Sequence, residues 1–292
     1  MKLQHASVHL SVALLASAAS CKSTERHVSQ PPISEPDATP LDTALLTLTP
    51  DLVTFQSDGK ELTAFLYRPL GSGPFPAVVF NHGSEPLPGW APDQAEFYVR
   101  HGFVLLVPHR RGQGRSREAG DYILDVWEST HDPDRLVGQL VAQVDDVMAA
   151  VEYIRSRPFV DPSRVAVAGC SYGGIESLLA AERGNGLVAA VDFSGAAMAW
   201  GQLTPLRSRL RLAARNAKIP VLFIQSEDDF DTAPSTSLNA EMLDAGKPTQ
   251  LHIFASRRQS HEDGHAFCAG GTSPPWGDDV LLFLGSAMRL RH

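Results

Sequence analysis

Length, composition and charge exclude several classes of protein. The chain has 292 residues, of which 43% are hydrophobic and 20% are charged, as is typical of a globular protein with a sizeable core. Its 25 lysine and arginine residues are outnumbered by 33 aspartate and glutamate residues, and no basic run is longer than two residues. Because nucleic acids are bound through positive patches, we expect no nucleic acid partner.

The first 21 residues predict an export signal. One lysine precedes a short apolar run over residues 8–19, and small residues stand before Cys21. This run of about a dozen apolar residues is too short to cross a bilayer as a helix, which needs roughly 20. "LLASAASC" resembles a bacterial lipoprotein box, so we expect Cys21 to be lipidated and the protein to face the periplasm from the outer membrane. Secretion without a lipid anchor and an uncleaved N-terminal segment are the alternatives.

Residues 22–47 predict a disordered tether. Four prolines stand there among serine, threonine and acidic residues, with few large apolar side chains. Such a segment buries too little apolar surface to offset the entropy lost on ordering. The folded domain is therefore expected to span residues 48–292, with the lipid on Cys21 as its one contact with a membrane.

Strand and helix patterns alternate through this domain. Asp58-Gly59 favours a hairpin between two short strands in 52–69, and continuous apolar runs at 76–83 and 102–109 predict strands covered on both faces. Apolar residues three or four apart predict a long helix over 136–157. The later predicted elements are strands at 164–169, 187–193, 220–226 and 249–254 and helices at about 173–183, 204–215, 235–245 and 277–289. This order implies an α/β fold, with a mostly parallel sheet between helices and reactive groups beyond the carboxyl ends of its strands.

The segment "GCSYG" at 169–173 matches the Gly-x-Ser-x-Gly nucleophile elbow. It follows a predicted strand and precedes a predicted helix, which is the context that the motif requires. The flanking positions of so tight a turn must be nearly free of side chain, and Gly169 and Gly173 meet that need. We therefore expect Ser171 to be a nucleophile. Cys170 stands one position early, and we interpret it as a small buried residue that points away from the substrate.

A serine nucleophile needs a base and an acid that orients the base. In this class of fold they follow the serine in the order acid, then histidine. Three carboxylates, Asp228, Asp229 and Asp231, follow the strand at 220–226, and two histidines, His261 and His265, follow the strand at 249–254. From the residues alone, any of the three carboxylates and either histidine could serve.

The oxyanion of an acyl-transfer intermediate needs hydrogen-bond donors. One is expected to be the backbone N–H of Tyr172, directly after Ser171. The loop after the third strand should supply the other, because Gly83 lets the backbone turn toward the nucleophile and the next N–H is that of Ser84. The alternative is that His82-Gly83 is an ordinary start of a loop.

The domain from about residue 50 onward resembles an alpha/beta-hydrolase, and within that superfamily it is similar to the dienelactone hydrolase family. The resemblance rests on five motifs that occur in the family's order: "FNHG", "PHRRGQGRS", "VEYIRSRPFVDPSRVAVAGCSYGG", "IQSEDDFDTAPS" and "HEDGHAFC". It implies Ser171 as the nucleophile, Asp229 as the acid and His265 as the base. Many members of the narrower family carry cysteine where this chain has Ser171, which points to a general ester-cleaving relative.

Other features are assigned to the surroundings of the site. We interpret Arg111 and Ser116 of "RRGQGRS" as scaffold. The segment 118–134, with Tyr122 and Trp127, and the segment around Met198, Trp200 and Leu203 are candidate walls of a substrate pocket, although their side chains could equally be core.

The run "HEDGH" at 261–265 is rich in metal-ligand types, but Gly264 and the later Pro274-Pro275 favour a loop. We expect no metal and no other cofactor. Cys170 and Cys268 could form a disulfide in an oxidising compartment, but burial beside the elbow is sufficient to explain each cysteine, and that is the interpretation we favour.

These residues predict a serine hydrolase that cleaves small carboxylic esters or lactones. A serine peptidase of the same fold is an alternative within that chemistry, and the absence of a second gating domain from the sequence argues against it. A surface lipoprotein that has lost catalysis is the alternative from a different class. Against it, every residue type of a catalytic triad is present in the expected order.

Overall fold

The apolar strands form one sheet in the computed structural model, which describes residues 48–256 and 260–290. Within these ranges the sheet has eight strands: β1 (Asp51–Ser57), β2 (Lys60–Tyr67), β3 (Phe75–Asn81), β4 (Val104–Pro108), β5 (Val160–Cys170), β6 (Ala189–Phe193), β7 (Val221–Ser226) and β8 (Thr249–Phe254). Their order across the sheet is β1-β2-β4-β3-β5-β6-β7-β8. β2 pairs antiparallel with both of its neighbours, and the other pairs are parallel, as the alternating pattern predicts.

The helices connect these strands on both faces of the sheet. They are α1 (Pro92–Arg100), α2 (Ile123–Thr130), α3 (Pro133–Arg155), α4 (Tyr172–Arg183), α5 (Thr204–Asn216), α6 (Ala233–Asp244), α7 (His261–His265) and α8 (Gly277–Met288). Short 3-10 segments lie at Gly114–Ala119 and Ala266–Cys268. The sequence did not predict α1, α2 or α7, because nine, eight and five residues are too few for a clear helical period.

The loop expected at 261–265 is instead the single helical turn α7, so that expectation is wrong. Gly264 does not break this turn. A Cβ at Gly264 would lie 2.5 Å from the carbonyl carbon of Asp228, so glycine is needed there for close packing of α7 against the loop after β7.

Both faces of the central strands are buried, which explains why these strands are continuously apolar. Val79 and Val167 face a core shared with α3, α4 and α5. Their neighbours Val78 and Ala166 face a second core shared with α1 and α8. A strand alternates its side chains between faces, so each strand contributes to both cores and is held rigidly between them.

Helix α3 begins three residues before its predicted start. Pro133 occupies the first turn, and the side chain of Asp132 accepts hydrogen bonds from the backbone N–H groups of Asp134 and Arg135. Gln143 and Asp146 on this helix both bond to Arg111 in the loop after β4.

Several predictions concern residues outside the described ranges. These are the signal peptide at 1–21, the lipidation of Cys21 and the tether at 22–47. Among the helices that the structure does describe, none has both the length and the apolar composition needed to cross a membrane.

Candidate active site

Ser171 stands between a strand and a helix at the carboxyl edge of the sheet. β5 ends at Cys170 and α4 begins at Tyr172. Ser171 itself has φ 56° and ψ −115°, a conformation that a residue with a side chain rarely adopts. The backbone N–H of Ser171 donates to the carbonyl of Phe193 on β6 at 2.8 Å, which helps to hold the turn in place. Strain held in this way is typical of a functional site.

The two glycines of the elbow are required by contact. A Cβ at Gly173 would lie 1.9 Å from the carbonyl oxygen of Asn81, and a Cβ at Gly169 would lie 2.2 Å from the carbonyl oxygen of Gly173. Both obstacles are backbone atoms, which cannot rotate away as a flexible side chain could. The Gly-x-Ser-x-Gly pattern therefore reflects the close approach of β3 and β5 to the first turn of α4.

A continuous chain of hydrogen bonds joins Ser171, His265 and Asp229. The Nε2 atom of His265 lies 2.8 Å from Ser171 Oγ, and its Nδ1 atom lies 2.8 Å from Asp229 Oδ1. Asp229 follows β7, and His265 ends α7 after β8, so the neighbouring parallel strands bring them to the same edge of the sheet. This arrangement can take a proton from the serine hydroxyl and stabilise the imidazolium that results.

The competing carboxylates and the competing histidine have other partners. Asp228 accepts a hydrogen bond from Ser256, and Asp231 Oδ1 accepts one from the N–H of Ala233 at the start of α6. His261 Nδ1 lies 2.8 Å from the backbone carbonyl of Asp228. The alternatives that the sequence left open are thus separated by geometry, and Asp229 and His265 are the pair in contact with each other.

Asp229 is held as a carboxylate. Burial raises its pKa, but hydrogen bonds from His265 and Gln225 have the opposite effect, and the net result is a lowered pKa. Gln225 Nε2 donates to Asp229 Oδ2 at 2.7 Å, and the N–H of Phe230 donates to Oδ1 at 2.7 Å. No motif in the sequence indicated Gln225. Its position at the end of β7, four residues before Asp229, is the only signal that could have indicated it.

Tyr172 and Ser84, which are expected to supply the oxyanion donors, line a cavity that also includes Ser171. The N–H of Tyr172 is the first of α4 and has no acceptor within the helix. Ser84 lines both cavities that meet at Ser171. The carbonyl of Ser84 accepts a hydrogen bond from the hydroxyl of Tyr122 at 2.6 Å, which fixes the direction of this loop.

Arg110, which the sequence did not predict as part of the site, supports the loop that carries Ser84. The residue is completely buried, and its Nη2 atom donates to the carbonyls of His82 and Gly83 at 2.8 and 2.9 Å. Its guanidinium carbon lies 4.9 Å from the centre of the Tyr172 ring. Arg110 therefore links the loop that carries Ser84 to the first residue of α4.

The neighbouring Arg111 and Ser116 are scaffold, as predicted. Arg111 forms an ion pair with the buried carboxylate of Asp146 on α3 at 2.7 Å, and Ser116 Oγ accepts a hydrogen bond from the N–H of Thr63 on β2.

Cys170 and Cys268 form a disulfide, so the favoured interpretation of two separate buried thiols is wrong. Cys170 is also not directed away from the substrate side, because it lines the same cavity as Ser171 and His265. The bond forms because the 3-10 segment after α7 returns to the end of β5. Sequence alone could not show this approach between residues 98 positions apart.

Two cavities meet at Ser171. The first, called the apolar cavity below, has a volume of about 360 Å³ and is enclosed mainly by α2, α3, α4 and the segment between β6 and α5. The second, called the histidine-side cavity, has a volume of about 590 Å³ and includes His265. Trp127, Met198 and Leu203 line the apolar cavity, which confirms that both predicted segments contribute to pocket walls, whereas Trp200 belongs to the core.

The ligand-rich run at 261–265 does not form a metal centre in the described part of the chain. There, no three histidine, cysteine, aspartate or glutamate residues are grouped so that they could hold a metal ion.

Sequence comparison places the domain among known hydrolases. The sequence model of the dienelactone hydrolase family matches residues 62–275. The chain is 30% identical to the quorum-quenching protein AidA of Acinetobacter baumannii over 165 residues, which are 53% of this chain and 49% of AidA. It thus spans about half the length of that relative. It is 26% identical to a probable 2-oxo-3-(5-oxofuran-2-ylidene)propanoate lactonase of Bradyrhizobium sp, over 76% of this chain and 81% of the relative.

Solved structures show the same fold at lower identity. The acylaminoacyl peptidase of Pyrococcus horikoshii superposes with a TM-score of 0.61 at 22% identity, over 82% of this chain and 41% of that chain. A Klebsiella pneumoniae protein described as a dienelactone hydrolase superposes with a TM-score of 0.59 at 14% identity, over 84% of this chain and 99% of that chain. The predicted alpha/beta-hydrolase fold is confirmed.

Proposed function

Because this chain belongs to the dienelactone hydrolase family, we propose that it is a serine hydrolase that cleaves carboxylic esters or lactones through an acyl-enzyme. The observation that carries the proposal is the pair of 2.8 Å contacts that His265 makes with Ser171 Oγ and Asp229 Oδ1. A serine with such a partner is an activated nucleophile, whereas a structural serine has no need of one.

The reaction follows from the roles that these atoms can take. His265 Nε2 removes the hydroxyl proton as Ser171 Oγ attacks the ester carbon, and Asp229 stabilises the imidazolium. The N–H groups of Tyr172 and Ser84 bind the negative oxygen of the tetrahedral intermediate. His265 then returns the proton to the departing alcohol, which leaves an acyl group on Ser171. Water attacks this ester in the same manner and releases the acid.

Lactones are included because of what the chain resembles. A lactone is a cyclic ester, so the same steps open its ring while the alcohol stays attached to the acyl group. The similarity to a protein named as a lactonase supports this inclusion. The substrate is thus a small molecule, and no cofactor enters the reaction.

The proposal is tested with a fluorophosphonate probe and 4-nitrophenyl butyrate. We expect the parent to be labelled and to hydrolyse the ester, and Ser171→Ala to lose labelling and at least about three orders of magnitude in kcat/KM. The matched control is Ser163→Ala, which alters an exposed serine near the other end of β5. Absence of labelling and turnover in the parent would overturn the proposal and favour a lipoprotein without catalysis.

A serine peptidase is the second candidate, favoured by the similarity in fold to the Pyrococcus acylaminoacyl peptidase. The two candidates differ in the bond that they cleave. Matched substrates, 4-nitrophenyl and 4-nitroanilide derivatives of the same acyl group, distinguish them. The ratio of kcat/KM for the ester to kcat/KM for the anilide is compared with the ratio of their rates of hydrolysis by hydroxide. We expect the enzymatic ratio to be the larger of the two.

We also propose that the protein is exported and lipidated at Cys21. The disulfide between Cys170 and Cys268 supports export, because structural disulfides persist in oxidising compartments such as the periplasm. The test is incorporation of radioactive palmitate during expression in a bacterial host. Label in the parent that is absent from Cys21→Ser supports the proposal, whereas a secreted, unlabelled parent overturns it.

A further inference from the structure

The two cavities that meet at Ser171 share only part of their lining. Ser84, Leu124, Ser171 and Met198 line both of them and form their common border. An ester bound with its carbonyl carbon at Ser171 must place one part in each cavity. The inference below rests on the proposed function, because it takes Ser171 as the nucleophile and His265 as the acid that releases the alcohol.

The position of His265 shows which part lies in which cavity. His265 lines the histidine-side cavity and is absent from the lining of the apolar cavity. The leaving oxygen must be within reach of His265 Nε2 to receive its proton, so the alcohol part belongs in the histidine-side cavity. The acyl part must then enter the apolar cavity.

The apolar cavity suits an aliphatic chain. Most of its walls away from Ser171 are aliphatic or aromatic, and Gln202 contributes a polar amide; the apolar residues include Ile123, Trp127, Leu140, Ile175, Leu203 and Leu206. Leu136 and Leu206 close the cavity toward the core, because both are less than a tenth exposed. No lysine, arginine, aspartate or glutamate lines it among the described residues. A charged or strongly hydrated acyl group would lose its water there without a charged partner.

The lining of the histidine-side cavity, unlike that of the apolar cavity, includes acidic side chains. Glu85 and Glu262 line it, and within the described ranges no lysine or arginine does so. A carboxylate or phosphate on the alcohol part would meet two negative side chains and no cation, which disfavours its binding. An uncharged or cationic alcohol part meets no such repulsion.

We propose that the natural substrate is an ester or lactone of an aliphatic acid of medium chain length, with the acyl chain in the apolar cavity and an alcohol part without negative charge beside His265. The volume of about 360 Å³ is at the lower end of the range of roughly 300–1,000 Å³ found for small-molecule sites. Such a cavity suits a chain of hexanoyl to decanoyl length.

The first experiment measures kcat/KM for 4-nitrophenyl esters from acetyl to hexadecanoyl. Each methylene that enters an apolar site adds about fourfold. We therefore expect kcat/KM to rise by about that factor for each added carbon. The rise should end at an acyl length between hexanoyl and decanoyl, and longer esters should show no further increase or a decrease. A maximum at acetyl, or a flat profile, overturns the inference.

A cavity-filling variant tests where the chain lies. Ala199 lines the apolar cavity and is partly exposed, so Ala199→Phe should reduce the volume of that cavity. We expect its optimum to shift to shorter acyl groups, with octanoyl lowered at least tenfold relative to acetyl. The matched variant Ala266→Phe adds the same side chain to the histidine-side cavity and should leave the optimal acyl length unchanged. An unchanged optimum in Ala199→Phe, or an equal shift in both variants, contradicts the assignment.

The alcohol part is tested with two octanoyl esters, of 4-hydroxy-3-nitrobenzamide and of 4-hydroxy-3-nitrobenzoate, which have the same substitution pattern and differ mainly in one negative charge. We expect the anionic ester to have a kcat/KM lower by about fivefold or more. Equal or faster cleavage of the anionic ester overturns this part of the inference.

Fluorophosphonate labelling of the parent and of each variant distinguishes an error in the proposed substrate from an error in the proposed serine mechanism. Labelling together with the wrong chain-length profile contradicts the substrate class and leaves the serine mechanism intact. A parent that is not labelled contradicts the serine mechanism itself.

Discussion

Cys170 and Cys268 are joined by a disulfide that links the residue before Ser171 to the turn directly after His265. The two residues that must stay in contact during catalysis are therefore connected covalently as well as through the sheet. His265 lies on the five-residue helix α7, which is too short to be stable by itself. The disulfide and the packing of Gly264 against Asp228 supply the support that the helix lacks.

We predict that the double variant Cys170→Ser/Cys268→Ser has a free energy of unfolding lower by about 2–4 kcal/mol, because a cross-link over a long loop restricts the unfolded chain. Urea denaturation measures the difference. Reductant should reproduce the loss in the parent and leave the double variant unchanged. A parent with the same stability in oxidising and reducing buffer would contradict the prediction.

Asp229→Asn should lower kcat by about three to four orders of magnitude, because an amide cannot stabilise the imidazolium and favours the wrong histidine tautomer. Steady-state kinetics with 4-nitrophenyl butyrate measures the effect. Asp231→Asn is the matched control, since asparagine can still accept the hydrogen bond from Ala233 N–H at the start of α6. Similar losses in the two variants would remove Asp229 from its proposed role.

Gly173→Ala should prevent the elbow from forming. The added methyl would lie 1.9 Å from the carbonyl oxygen of Asn81, and overpacking against backbone costs about 1–3 kcal/mol or more. We expect a fall in melting temperature together with loss of fluorophosphonate labelling. Gly138→Ala offers the opposite case, because Gly138 is exposed within α3 and its added methyl meets nothing within 4 Å. There we expect stabilisation by about 0.5–1 kcal/mol. Equal behaviour of the two variants would contradict the steric argument.

Glu176 should make the protein less stable as the pH rises. It is completely buried on α4, its carboxylate oxygens have no hydrogen-bond partner in the described part of the protein, and burial raises its pKa to about 8. The folded state therefore binds a proton that the unfolded chain releases near pH 4.5. Between these two values the free energy of unfolding falls by up to about 1.4 kcal/mol per pH unit.

Glu176→Gln removes this dependence, because glutamine resembles the protonated acid at every pH. Burial raises the pKa of Asp192 to about 7, so the pH dependence remaining above that value belongs mainly to Glu176. Urea denaturation of parent and variant on both sides of neutrality checks the prediction. The exposed Glu152→Gln on α3 should retain the slope of the parent. A parent whose stability does not fall with rising pH would refute the prediction.

The local sequence determined the framework of the fold and the candidate nucleophile. β3, β4 and β7 were predictable because a strand buried on both faces must be apolar along its whole length. Ser171 was predictable because the elbow's requirements lie within five consecutive residues. Helices α1, α2 and α7 were not predictable, because their short sequences do not complete enough turns to show a period, and packing against the sheet stabilises them.

Tertiary structure decided what depends on distant residues. Three carboxylates within four positions and two histidines within five are chemically equivalent along the chain, and only the packing of the loops after β7 and β8 brings Asp229 and His265 within 2.8 Å of each other. The disulfide, the support of the Ser84 loop by buried Arg110 and the two cavities are products of the same packing. Each depends on distances between segments far apart in sequence, and one sequence shows the identity of such residues without showing their separation in space.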